Sequence, residues 1–144
     1  MDRSILHMDL DTFFVSVERQ MDSRLNGKPI LIGGTGDRGV VAACSYETRK
    51  FGVHSAMPMR MARSLCPEAI IIRGNSVNYS KFSSLVTDVI KEEVPVYEKT
   101  SVDEFFVDLT GMDRFFGNFK FASELRDRVI NETGLPISFG LSLN

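Results

Sequence analysis

The sequence predicts an α+β fold: a βαββαβ unit interrupted by a small α/β insertion. Three observations carry it. Residues 4–10 alternate as a strand and run directly into a helical stripe. Residues 78–144 read as helix, two strands, helix and strand. The stretch between them, residues 23–77, has its own turns and short strands, and setting it aside leaves strand, helix, strand, strand, helix, strand. That order is the ferredoxin-like, or split βαβ, arrangement.

In the first strand, Leu6, Met8 and Leu10 share one face, and His7, Asp9 and Asp11 share the other. Asp11 or Thr12 is expected to cap a helix whose stripe is Phe13, Phe14, Val17 and Met21. Asn26-Gly27 and Pro29 break the chain before PILIGG, which pairs with VVAAC across the turn GGTGDRG as a hairpin over residues 30–44. GGTGDRG lacks the GxxxxGK[ST] pattern of a phosphate loop and reads as a turn. SYETRKFGV predicts about two helical turns closed by Gly52. A further helix starts near Pro58 and stops at Pro67, and AIIIR is a short strand. Tyr79, Phe82, Leu85, Val86, Val89 and Ile90 recur at helical spacing, with Pro95 as the stop. VYEKTSV and FFVDLTG are strands joined at Asp103-Glu104. Asn118 is the expected cap of a helix that turns Phe121 or Ala122, Leu125 and Val129 inward and ends at Gly134-Leu135-Pro136, before the strand PISFGLSL.

Length and composition set limits. A chain of 144 residues, 43% apolar and 25% charged, suits a soluble globular domain with a real core. Its net charge of −2 gives no general attraction to nucleic acid or to an anionic membrane, which argues against a free-standing DNA binder more than against part of a larger one. Cys44 and Cys66 have no CxxC spacing and read as reduced, buried thiols. No apolar run approaches the ~20 residues of a membrane helix, and aspartates interrupt the N-terminal apolar stretch that a signal peptide would need. The expectation is a cytoplasmic protein.

In the ferredoxin-like order the first strand lies beside the third, so the Asp103-Glu104 hairpin tip should meet the end of the strand that carries Asp9. Taken singly, Asp9 reads as a solvated strand-end acid and Asp103-Glu104 as an acidic turn. Jointly they form a hard oxygen site without sulfur, suited to Mg²⁺ or Mn²⁺, since unneutralised carboxylates at such range repel. Two such ions could align a hydroxyl with a phosphate. Asp11 stays a cap. His7, two residues away, is read as structural.

MDLDTFFVSVE, YETRKFGVHSAMP and SVDEFFVDLTG together resemble the N-terminal part of Y-family, lesion-bypass DNA polymerases of the DNA polymerase IV type. The resemblance runs essentially from end to end, with three motifs in order. It implies a palm (residues 1–22 and 78–144) with inserted fingers (residues 23–77), and template-directed nucleotidyl transfer by a two-metal mechanism in DNA damage tolerance. It implies two Mg²⁺ ions, replaceable by Mn²⁺, held by Asp9, Asp103, Glu104 and the carbonyl of Leu10. Phe14 becomes a steric gate against the ribose 2′-OH, and Tyr46 and Arg49 hold the incoming triphosphate. Partners implied are primer-template DNA, deoxynucleoside triphosphates and a sliding clamp, the last through regions beyond these residues; no membrane is implied. Tyr46 and Arg49, three apart on a helix, reach one side, and a phenol and a guanidinium fork suit phosphate oxygens. Lys50 points elsewhere.

The sequence departs from the family at Ala43, where a small hydroxyl residue often contacts phosphate, and at Phe105, where a smaller residue is common. It also stops at FGLSLN, where the family continues with the rest of the palm, a thumb and a C-terminal DNA-gripping domain. The expectation is a truncated chain or a short homologue, inactive by itself. Two other readings compete. An aspartate-nucleophile phosphatase shares the strand-end DxD, but has Thr or Val where this chain has Phe13 and needs a doubly wound sheet. A catalytically inert palm and fingers could serve partner binding, with no need to keep all three acids.

Overall fold

The computed structural model describes residues 4–36, 38–110 and 117–143. Asp37 of the GGTGDRG turn and Gly111, which ends the FFVDLTG run, lie outside the described residues. The first half of the chain forms β1 (Ser4–Leu10), α1 (Phe13–Met21), a 3-10 turn (Ser23–Leu25), β2 (Ile30–Gly33), β3 (Val41–Cys44), α2 (Tyr46–Arg49), α3 (Met59–Leu65) and β4 (Ile70–Ile72). The second half forms α4 (Ser76–Glu93), β5 (Tyr97–Ser101), β6 (Glu104–Asp108), α5 (Asn118–Thr133) and β7 (Ile137–Leu143). Contacts divide these into two compact units, Met1–Asp11 with Val77–Asn144, and Thr12–Ser76.

In the first unit the sheet order is β5-β6-β1-β7 and every pairing is antiparallel. This is the expected ferredoxin-like order, with the first strand beside the third, and it is not the doubly wound sheet that a DxD phosphatase needs. The alternation read in β1 holds: Leu6, Met8 and Leu10 are buried, and Asp9 is exposed. Phe105 and Val107 of β6 are fully buried too, so the large side chain at Phe105 is core.

Both long helices differ from expectation in detail. The buried stripe of α4 is Ser83, Val86, Val89 and Ile90, whereas Leu85 is 41% exposed. A serine can hold a core position because its hydroxyl donates to the carbonyl of Val102 at 2.6 Å. In α5 the cap is Gly117 rather than Asn118, which sits inside the first turn with its Oδ1 buried and unpartnered among the described residues. Ala122, Leu125 and Val129 point inward as expected, and Gly134 ends the helix in the left-handed conformation at φ 75°.

The second unit has a sheet of order β3-β2-β4, in which β2 and β3 form the expected antiparallel hairpin and β4 joins in parallel. β2 is buried on both faces, which is why Ile30-Leu31-Ile32 shows no alternation. Leu31 packs among Val41, Cys44, Val53, Met59 and Ala62, and Ile30 and Ile32 pack with Val15 of α1. By contacts, α1 groups with the Thr12–Ser76 unit. Met21 is 55% exposed, and the apolar face of α1 is Phe13, Val15 and Val17. α2 spans four residues, shorter than two turns. The loop between β2 and β3 closes on glycine: a Cβ at Gly39 would lie 2.0 Å from the carbonyl oxygen of Gly34.

Candidate active site

The acids of the first unit are set by strand register. Asp9 of β1 is the direct partner of Glu104 of β6. Ser101 pairs with Glu104 to close the hairpin, so Val102 and Asp103 form its tip. The tip is tied down twice: the Leu10 amide donates to the carbonyl of Asp103 at 2.8 Å, and Ser83 holds the Val102 carbonyl. The hydroxyl of Ser101 donates to Asp103 Oδ1 at 2.9 Å. Asp103 and Glu104 are half-buried.

Electrostatics report the crowding. Partial desolvation at the strand end, then the charges of Asp103 and Glu104, push the Asp9 carboxyl above the ordinary aspartate range, with His7 opposing. Among the described residues, no three acidic, histidine or cysteine side chains are already gathered into a metal cage. The donor set nevertheless fits a hard cation, because Mg²⁺ is usually held by one or two carboxylates plus waters and substrate phosphates.

Two neighbours differ from the sequence reading. The N-cap residue of α1 is Thr12 rather than Asp11: the Asp11 carboxylate accepts the Ser138 hydroxyl of β7 at 2.8 Å, while Thr12, with a φ of 40°, turns the chain into α1 and makes no capping bond with its side chain. His7 does touch the acids: Nε2 donates to Glu104 Oε1 at 3.0 Å, and the ring stacks on Phe106 at 4.7 Å. The period of 2 hid this contact, because a histidine bridges diagonally to the partner of residue 9.

The other predicted residues lie in the second unit. Phe14 is half-buried, packed against Val15, Ile30 and Ile32, with its ring 5.6 Å from that of Phe13. Tyr46 is 54% exposed, and the Arg49 guanidinium lies 4.7 Å over its ring, so the two do share one side of α2. Arg49 also reaches the Cys44 carbonyl at 3.5 Å. The anchoring of α2 was not foreseen. Arg19 joins Glu47 at 3.0 Å and the carbonyls of Leu25 and Lys28, while buried Ser45 accepts the Ile30 amide. Such pairings cross many residues and leave no local signal.

Comparison with known proteins fits this arrangement. The profile of the impB/mucB/samB family matches residues 8–144. The chain belongs to that family. Among members of similar sequence, the DNA polymerase IV of Treponema denticola is 44% identical over 144 residues, which cover 99% of this chain and 36% of the relative. Among solved structures, DinB from Sulfolobus solfataricus superposes with a TM-score of 0.89 at 27% identity, over 96% of this chain and 42% of that one. A Y-family DNA polymerase chimera of Dbh and Dpo4 superposes at 0.87 with 27% identity, over 96% of this chain and 42% of that one. The motif resemblance to Y-family polymerases and the α+β class are therefore borne out, and the chain spans well under half the length of these relatives.

Proposed function

We propose that this chain is the N-terminal catalytic part of a translesion DNA polymerase. The observation that carries the reading is the register that sets Asp9 opposite Glu104, with Asp103 at the adjoining tip, in a chain of this family. Residues 1–22 and 78–144 serve as palm and residues 23–77 as fingers.

Asp9, Asp103, Glu104 and the Leu10 carbonyl are the residues that would hold two Mg²⁺, or Mn²⁺ in their place. When bound, such ions activate a hydroxyl and stabilise the leaving oxygen of a phosphoryl displacement. Asp9 and Glu104 supply the negative charge that draws cations in, and the tip bonds from Leu10 and Ser83 fix where Asp103 stands. Tyr46 and Arg49 offer a phenol and a guanidinium to the triphosphate of a deoxynucleotide, and Ala43 offers no hydroxyl there. The Phe14 ring excludes a ribose 2′-OH. Primer-template DNA is the polymeric substrate, and a sliding clamp is a partner through other regions of the polymerase. Two buried free cysteines suit a cytoplasmic protein. Among the described residues, no helix is long and apolar enough to cross a membrane.

The test is primer extension by the full-length protein with Mg²⁺, beside an Asp103→Ala variant. Template-directed extension that the variant loses supports the reading; no extension, or extension that survives in the variant, overturns it.

A further inference from the structure

His7 is a neighbour of the acids that the reaction as proposed does not use. Register places His7 opposite Phe106 and Asp9 opposite Glu104, so the bond from His7 Nε2 to Glu104 Oε1 runs diagonally across two strands. Its ring is held from below by the stack on Phe106, with planes 29° apart. Both side chains keep much of their surface in solvent, at 40% and 39%, and pairs so placed add little to stability. What the bond does supply is orientation. A glutamate opposite a like charge otherwise turns its rotatable side chain toward solvent. Ligating carboxylates are commonly fixed by such an outer hydrogen bond, and losing it typically costs about 10–100-fold in metal affinity.

We infer that His7 is a positioning residue that fixes one oxygen of Glu104 and leaves the other to face a divalent cation. The inference rests on the metal reading of Asp9, Asp103 and Glu104, and deepens it. Nothing in it requires His7 to change charge.

The experiment is Mn²⁺ binding to the purified chain at one fixed pH, followed through the electron paramagnetic resonance signal of free Mn²⁺. His7→Phe keeps a ring against Phe106 but has no donor. His7→Gln keeps an N–H near the place of Nε2. Glu104→Ala tests the site itself, and circular dichroism checks that each variant is folded. The expected result is about tenfold weaker binding in His7→Phe, with most of the affinity restored in His7→Gln and a loss in Glu104→Ala. If His7→Phe binds as the parent does, the ring is only a packing element; if it binds more tightly, His7 competes with the cation for Glu104. Either result overturns the inference while the metal site stands. If the parent and Glu104→Ala bind alike, the metal reading itself falls, and the role of His7 with it.

Discussion

Asp9 and Glu104 are direct partners across β1 and β6, two carboxylates set opposite each other on neighbouring strands. Like charges in that position are destabilising, and a bound cation or a proton relieves them.

The first prediction concerns stability and pH. The Asp9 carboxyl keeps its proton to higher pH in the folded chain than in the unfolded one. Between those two values the folded state binds more protons, so stability falls as pH rises through that acidic window. Above it the full cost is present. Asp9→Asn is therefore expected to be more stable than the parent near neutral pH without metal, and the difference should shrink as pH falls through the window. Urea denaturation at several pH values measures this. A destabilised Asp9→Asn near neutrality would mean that the acids do not repel.

The second concerns the core beneath the site. Phe105 is fully buried and lies next to Glu104 in the chain. Phe105→Ala should cost about 3–5 kcal/mol by removing a large ring from a packed interior. A urea midpoint close to that of the parent would show that the pocket collapses around the smaller side chain.

The third concerns the triphosphate. If the full-length protein is the proposed polymerase, Arg49→Ala should raise its KM for deoxynucleotide by at least about tenfold, since a hydrogen bond to a charged group contributes roughly 1.5–3 kcal/mol. Lys50→Ala serves as the neighbouring control and should leave KM nearly unchanged. Equal effects in the two variants would point to general charge rather than to a phosphate contact.

The fourth concerns sugar selection. Phe14→Ala in the full-length protein should raise ribonucleotide incorporation, measured by primer extension with each nucleotide. Incorporation at the parent level would leave Phe14 as a packing residue of the cluster around Ile30 and Ile32.

Patterns that repeat within a few residues were legible before any coordinates. The alternation of Leu6, Met8 and Leu10, the 30–44 hairpin, the stop at Gly134 and the strand order all follow from local periodicity and a short list of topologies. The juxtaposition of Asp9 with Glu104 followed from that topology. What stayed hidden depends on a partner far along the chain. Ser83 was absent from the predicted stripe of α4 because its bond goes to Val102. Asp11 looked like a cap because Ser138 is remote in sequence. His7 looked merely structural because strand periodicity describes one strand and not the diagonal to the next. Arg19 and Glu47 were missed for the same reason.

The place of β1 has a consequence for how the chain is made. β1 emerges from the ribosome well before both of its neighbours, β6 and β7, which come from the far part of the sequence. At about 5–20 residues per second, β1 waits on the order of several seconds or more for either partner. Through that interval Leu6, Met8 and Leu10 are an apolar segment without its strand partners, the kind of segment that pairs with foreign strands. Aspartates at 9 and 11 interrupt the run in the nascent chain, and like charges there discourage stacking of identical strands. The acid that faces Glu104 in the folded protein thus also guards the strand against self-association before folding.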